Sequence, residues 1–402
     1  EKLLREDIKD IKISTADKIA TDILREFNYS LDVVEDNLLE KIVKNSRKDP
    51  RISANEVSNI AHLTNQYLSD EILLVIHGND LQNIDDYINN KRIGRLEFLS
   101  DDEKKTIWSI SEILSEELND LGKITFQEIR KIAYQLVKDG KYKVKYDSII
   151  IDEVQDLDIS SIKLLFSLCE NKNNLFLTAD VNQSIFSSNF SWDAIIENLG
   201  AAVEINILKG NYRSTKEISI AASNYLSDNF IDKTTREQSY INNGELPIYK
   251  SVETIGEEII SLSNFIKEQS RVLRLPIGSA AVLCPTESIG QEISKGLNDR
   301  GIKAVFMKSR DIEVTDNNVK VLPLKAAKGL EYPIVAIAGL RALKPSRFSN
   351  YSSKQKEERL NLERRTNYVG MTRAMRSMMI CVPKKRDEEL LGNFDNKFWD
   401  VR

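Results

Sequence analysis

Several residue types are scarce in this sequence. Of 402 residues only three are cysteine (Cys169, Cys284 and Cys381) and only two are histidine (His62 and His77). Three distant cysteines, odd in number, build no disulfide framework, and each sits in an apolar run that reads as core packing. Such usage fits a reducing compartment, so a cytoplasmic setting is expected. The histidines stand at no familiar zinc-site spacing from the cysteines, which excludes a finger-type metal cluster. No apolar run approaches the roughly 18 residues of a membrane span. No signal peptide is visible, and the chain begins with Glu1 rather than Met, so a fragment or processed product is expected. Neither sign of charge dominates: 57 Lys and Arg stand against 62 Asp and Glu, a formal net charge of −5. With no global basic signature, nucleic-acid binding has to use a local groove.

Apolar side chains are plentiful, at 41% of the chain, and charged ones make up 30%. That balance describes a folded globular protein long enough for two to three domains. From about residue 20 to 140 the pattern is helical. ILREFNYSLDVVEDNLLEKIVKN and TIWSISEILSEELNDL repeat apolar residues at spacings of three and four, and Ile107, Ile110, Leu114 and Leu118 form one stripe. This stretch reads as a packing domain without chemistry of its own.

At about residue 145 the texture changes. SIIID reads as a buried strand, and ISSIKLLFSLC as a helix capped by Asp158. NLFLTAD is a strand, SWDAIIENL a short helix and VEINIL a strand. A second series follows: KEISIAASNYLSD helical, SAAVLCP a buried strand, ESIGQEISKGLNDRG a helix ending at glycine. AVFM, VKVLPL, PIVAIAGL and SMMICV are further strands, with a helix over EERLNLERRTNYVG and a basic surface loop before it. Strand and helix alternate, which predicts α/β lobes with parallel sheets. Ligands of such sheets bind beyond the carboxyl ends of the strands.

Five short stretches carry candidate chemistry. IIIDEVQD ends a strand in Asp152 and Glu153, where one carboxylate can hold Mg²⁺ and the other deprotonate water. In LTADVNQSIF, Gln183 is a neutral donor suited to a terminal phosphate or a water. In LKGNYRST, Tyr212 can stack on a base and Arg213 can clamp phosphate oxygens. In LKAAKGLEYPIV, Gly329 lets backbone approach a ligand, Glu331 can accept from ribose, and Lys325 and Lys328 can meet phosphates. In ERRTNYVGMTRA, Arg373 follows an expected helix break after Val369-Gly370 and is placed as an arginine finger would be. Each alone also fits a plain strand–turn boundary, loop amide or basic helix face.

The order DEVQD, ADxNQSIF, NYRST, AKGLEYP, RRxxYVGMTRA resembles the UvrD/Rep/PcrA-type branch of superfamily 1 helicases. Ser14-Thr15-Ala16-Asp17 resembles that family's short nucleic-acid-contacting motif, assigning Thr15 and Asp17 to nucleic acid. The resemblance implies an α/β fold of two RecA-like lobes with a helical insertion in the first. It divides the chain into 1–30 and 141–208 for the first lobe, 31–140 for the insertion and 209–402 for the second lobe. ATP with Mg²⁺ would bind in the cleft between them. Asp152 would hold the metal, Glu153 would activate water, and Gln183, Arg213 and Arg373 would act on the γ-phosphate. Tyr212, Gly329, Glu331 and Gln155 would bind the nucleotide. The implied partner is single-stranded DNA, with RNA the open alternative. A helicase-like regulatory or sensor subunit, bound to a partner protein in a larger complex without productive unwinding, is the second reading.

Four departures qualify this. No GxxxxGKS or GxxxxGKT phosphate loop occurs; KDGKYKV lacks the second glycine and the hydroxyl residue. The 402 residues are therefore expected to hydrolyse ATP poorly by themselves. Only about a hundred residues separate NYRST from AKGLE, leaving no room for a large second insertion. Ser188 and Asn189 replace the family's Trp-Arg pair after Phe186, so base stacking shifts to Phe190 or Trp192, unless Trp192 packs in the core. Pro323-Leu324-Lys325 stands where the family has Thr-x-His, which leaves Lys325 as the strand contact there.

Overall fold

A computed structural model of the chain describes residues 11–93, 95–180, 195–196, 204–206, 208, 210–226, 239–308, 317–343, 348–385, 391–392 and 394–402. The chain is mixed α/β and divides into two compact units. One runs through Asp180 and takes in Asn350–Gln355; the other comprises Ile205–Ser349 and Lys356–Arg402.

In the first unit, helix α1 (Ala16–Glu26) starts on the Thr15 side chain, which accepts a hydrogen bond from Lys18 N at 3.2 Å. The helical pattern expected to continue is interrupted. Asn28 takes a left-handed φ of 58°, and a short strand β1 (Asp32–Val33) pairs with β2 (Lys123–Ile124) before helix α2 (Asp36–Ser46). Asparagine tolerates that conformation because its side chain bonds locally. After α3 (Ala54–Asn59), α4 (Asn65–Asp70) and α5 (Ile84–Asn89) comes the long helix α6 (Asp101–Asp120). It opens on a capping box: Ser100 Oγ accepts from Glu103 N, and the Glu103 carboxylate accepts from Ser100 N. Its predicted stripe is buried in full and packs with Ile60, Leu68, Ile72 and Tyr87. Helix α7 (Phe126–Lys138) packs against α1 and α8 (Ile159–Leu168), the latter capped by Asp158 as its sequence suggests.

Strand β3 (Ile149–Ile151) pairs in parallel with β4 (Leu175–Leu177), Ile150 opposite Phe176. The expectation of a buried strand is only half met: Ile151 is buried, whereas Ile150 is 76% and Phe176 62% exposed. Alternate residues face opposite sides of the pair, and among the described residues one side alone is covered.

The second unit is built on a seven-stranded parallel sheet. Its strands are β7 (Ile248–Val252), β8 (Ala280–Cys284), β9 (Ala304–Phe306), β10 (Val319–Pro323), β11 (Tyr332–Ile337), β12 (Ala374–Pro383) and β13 (Asp400–Val401). Their spatial order is β13-β7-β12-β11-β8-β10-β9. All five residues of β8 are buried, as its uninterrupted apolar run requires when both faces are covered. A two-stranded pair, β5 (Gly210–Thr215) with β6 (Ser239–Asn242), accompanies α9 (Lys216–Leu226). Helices α10 (Ile255–Leu273) and α11 (Glu287–Asn298) contribute Leu262, Phe265, Ile293 and Leu297 to the sheet's core. Burial pushes the Cys284 thiol up to about 12, and Cys381 shifts in the same direction, so both behave as packing groups.

Three expectations are corrected here. The basic segment before the last helix is not wholly a loop, because α12 spans Ser353–Met371. Gly370 does not break that helix. A Cβ there would collide with Leu324 Cδ2, so glycine serves close packing. The VEINIL strand does not form over Glu204–Asn206; Ile205 is 57% and Leu208 90% exposed, with no neighbouring strand among the described residues. Of SWDAIIENL, Ile195 and Ile196 are helical and the rest lies outside the described residues.

Candidate functional site

Because β3 and β4 run parallel, their carboxyl ends lie side by side. Asp152 follows β3, Thr178 follows β4, and the Thr178 hydroxyl donates to Asp152 Oδ1. The same Oδ1 accepts from Glu153 N at 3.1 Å, and Val154 N donates to Thr178 O at 2.9 Å. Asp152 is exposed, and its carboxylate is anchored through one oxygen. A single oriented carboxylate suits Mg²⁺, which keeps most of its water shell and takes its remaining ligands from phosphate. Among the described residues no cluster of three acidic, histidine or cysteine groups forms a protein cage for a metal.

Glu153 has φ 55° and ψ 42°, left-handed for a residue with a side chain. That conformation costs on the order of 1–2 kcal/mol and is held by the surrounding bonds. It turns the chain sharply off the strand into the short 3₁₀ turn Val154–Asp156. Gln155, expected to bind nucleotide, is fully buried; it donates to the Glu153 carboxylate and accepts from Asp180 N at 3.1 Å. Beside β3 lies a cavity of about 670 Å³ lined by Ile13, Ile149, Ile150, Asp152 and Glu153, among others.

Thr15 and Asp17 are not free side chains in this unit. Thr15 caps α1, and Asp17 accepts from Arg130 Nε at 2.7 Å. Arg130 also donates to Asp158, so one guanidinium joins the starts of α1 and α8.

In the second unit the NYRST, AKGLE and TRA stretches converge. Tyr212 is 73% exposed, its ring available for stacking. Arg213 pairs with Glu331, both half-exposed. Asn211 Oδ1 accepts from Arg213 N at 3.1 Å and Ser214 N at 3.2 Å, fixing the backbone turn that presents Arg213. Gly329 has φ +75°, and nothing lies within 4 Å of where its Cβ would be. Its role is thus the left-handed turn. Arg373 is buried, at 1% exposure, and its Nε donates to Val369 O at 3.0 Å while Nη1 reaches Leu330 O at 3.5 Å. It stands next to the Gly329–Glu331 turn, but in this structure it holds backbone carbonyls. Lys325 is exposed in the turn after β10.

Gln183, Phe186 and Trp192 lie outside the described residues. Three contributors were not singled out by sequence reasoning: Thr178, Asn211 and Arg130. Thr178 and Asn211 flank strand-end stretches already of interest. The partners of Arg130 are distant in sequence, and only folding joins them.

Residues 1–200 match the family of UvrD/REP helicase N-terminal domains, and residues 207–312 and 307–385 match the UvrD-like helicase C-terminal domain. The chain belongs to the UvrD-like helicases. Relatives include an ATP-dependent helicase/nuclease subunit of Listeria monocytogenes serotype 4b, 24% identical over 74% of this chain and 23% of that protein. Its namesake from Listeria innocua is 26% identical over 57% of this chain and 20% of that protein. This UvrD-like chain spans about a fifth of the length of these curated relatives. Among solved structures, the C-terminal domain of a possible DNA helicase from a Lactobacillus is 17% identical. It aligns with 47% of this chain and 98% of its own length, with a TM-score of 0.35.

Proposed function

We propose that this UvrD-like chain is the motor core of an ATP-driven translocase on single-stranded DNA. The observation that carries the reading is the convergence of Arg213, Gly329, Glu331 and Arg373 at the turns that precede β11 and β12, with Tyr212 beside Arg213 in the chain, in a protein whose other unit presents Asp152 and Glu153 after β3. Both sets act on one ATP, as the family resemblance implies. Bound Mg²⁺ supplies charge neutralisation for the phosphates. Asp152, whose carboxylate is anchored by Thr178, would hold that ion. Glu153 takes a proton from the attacking water as the new P–O bond forms and the bond to the ADP oxygen breaks. Arg213 exchanges Glu331 for phosphate oxygens, which frees Glu331 to accept from ribose. Arg373 leaves its carbonyl partners to meet the γ-phosphate, joined there by Gln183. Tyr212 stacks on the base. Lys325, Phe186 and Trp192, with Thr15 and Asp17, supply strand contacts.

No GxxxxGKS or GxxxxGKT phosphate loop occurs in the 402 residues, so poor ATP turnover by these residues alone is part of the proposal. Measuring ATP turnover with and without single-stranded DNA checks the whole reading. In the full-length protein the DNA stimulates turnover and Glu153→Gln lowers it by roughly a hundredfold or more. The 402 residues by themselves turn over poorly. Unchanged turnover in Glu153→Gln removes the assigned base, and robust hydrolysis by this chain alone removes that part of the proposal.

A further inference from the structure

The Gln155 carboxamide is polar and fully buried in this structure. Burial of such a group is tolerated when both ends are bonded, and here both are. Its oxygen faces Asp180 N at 3.1 Å. A backbone N–H only donates, so the amide oxygen must lie on that side and the amide nitrogen on the other. The nitrogen therefore donates to Glu153 Oε2, two residues back along the chain. One planar group thus spans from the carboxylate after β3 to the backbone after β4.

We infer that Gln155 is a positioning residue for Glu153. The inference rests on the reading that Glu153 is the water-activating base. Left-handed backbone at Glu153 turns the chain off β3, and without a second restraint its carboxylate swings about its own χ angles. Gln155 removes that freedom with a bond whose other end is set by Asp180, three residues before Gln183. The base after β3 and the backbone after β4 are in this way held by the same side chain. Fixing a base within a few tenths of an ångström affects the rate of the chemical step more than nucleotide affinity.

The test uses the full-length protein with Gln155→Leu, Gln155→Glu, Glu153→Gln and the Gln155→Leu/Glu153→Gln double variant. Steady-state ATP turnover, binding of a fluorescent ATP analogue and amide exchange at Asp180 without nucleotide are measured. Gln155→Leu lowers kcat tenfold or more with nucleotide affinity within twofold, and the Asp180 amide exchanges faster. Gln155→Glu keeps an acceptor for that amide, so its protection persists, but kcat falls because two carboxylates now oppose each other. The double variant is no slower than Glu153→Gln, because Gln155 acts only through Glu153. Should Gln155→Leu fail to fold, Gln155→Glu carries the same comparison. Unchanged kcat in the Gln155 variants, a raised KM at constant kcat, or losses that multiply in the double variant would overturn the inference while leaving Glu153 as base. Normal turnover in Glu153→Gln would remove the base and this inference together.

Discussion

The candidate chemistry depends on small side chains that anchor larger ones. In the proposed site, Asp152 is oriented by the Thr178 hydroxyl and Glu153 N, which hold one of its oxygens. Thr178→Val keeps the shape but removes the donor, and outer-shell partners of this kind alter metal affinity or activity by about 10–100-fold. A titration of ATP turnover against Mg²⁺ should show the half-saturating concentration rising by about tenfold in that variant. Both strand ends were legible in the sequence as candidate sites, since an apolar run that meets acids marks a carboxyl edge. That Gln155 turns inward was not legible. Its direction follows from the left-handed turn at Glu153, and nothing in the letters DEVQD specifies that φ.

Elements formed where periodicity and capping agreed. Ser100 and Glu103 announce the start of α6, and the Ile107–Leu118 stripe announces its buried face. The segment after α4 is different. Glu71–His77 winds as a π-helix and sets Glu71, with no exposed surface, against Arg92 Nε at 2.5 Å and Arg95 Nε at 2.8 Å. Tyr87 donates to the same carboxylate at 2.9 Å. Burial alone pushes the Glu71 carboxyl up, but hydrogen bonds from Arg92 and the charge of Arg95 outweigh it and hold it below its ordinary value. Glu71→Ala strands two cations and should cost about 3–5 kcal/mol in urea unfolding of the helical region. The wild-type bond persists above the ordinary glutamate range and is lost only as pH falls below it. The cluster was not visible beforehand, because the partners of Glu71 lie 16–24 residues further along the chain.

At the scale of the molecule, histidine scarcity makes a pH effect separable. His77 bonds Ser111 Oγ at 3.0 Å, and burial, with help from the charge of Lys131, pushes it down to about 4. The unfolded chain protonates this group near pH 6.5, whereas the folded chain does not until about 4. The stability that neutral His77 contributes is therefore complete above pH 6.5 and declines as pH falls toward 4. Between pH 6.5 and 5 the loss should be on the order of 1–2 kcal/mol, read from urea midpoints, and His77→Gln should flatten it. An unchanged slope in that variant would place the titration elsewhere.

By itself the sequence determined the class of the protein and marked candidate residues at its strand ends. Alternating strands and helices, the ordered stretches from DEVQD to YVGMTRA and the missing phosphate loop are all local or linear properties, so they can be read without folding. The tertiary structure decided which of those side chains are available. Arg213 reaches Glu331 across more than a hundred residues, Arg130 joins Asp17 to Asp158, and the last helix runs through Gly370, where Leu324 fills the space a side chain would need. Such pairings arise from strand register and helix packing, which bring together groups that no sequence spacing relates.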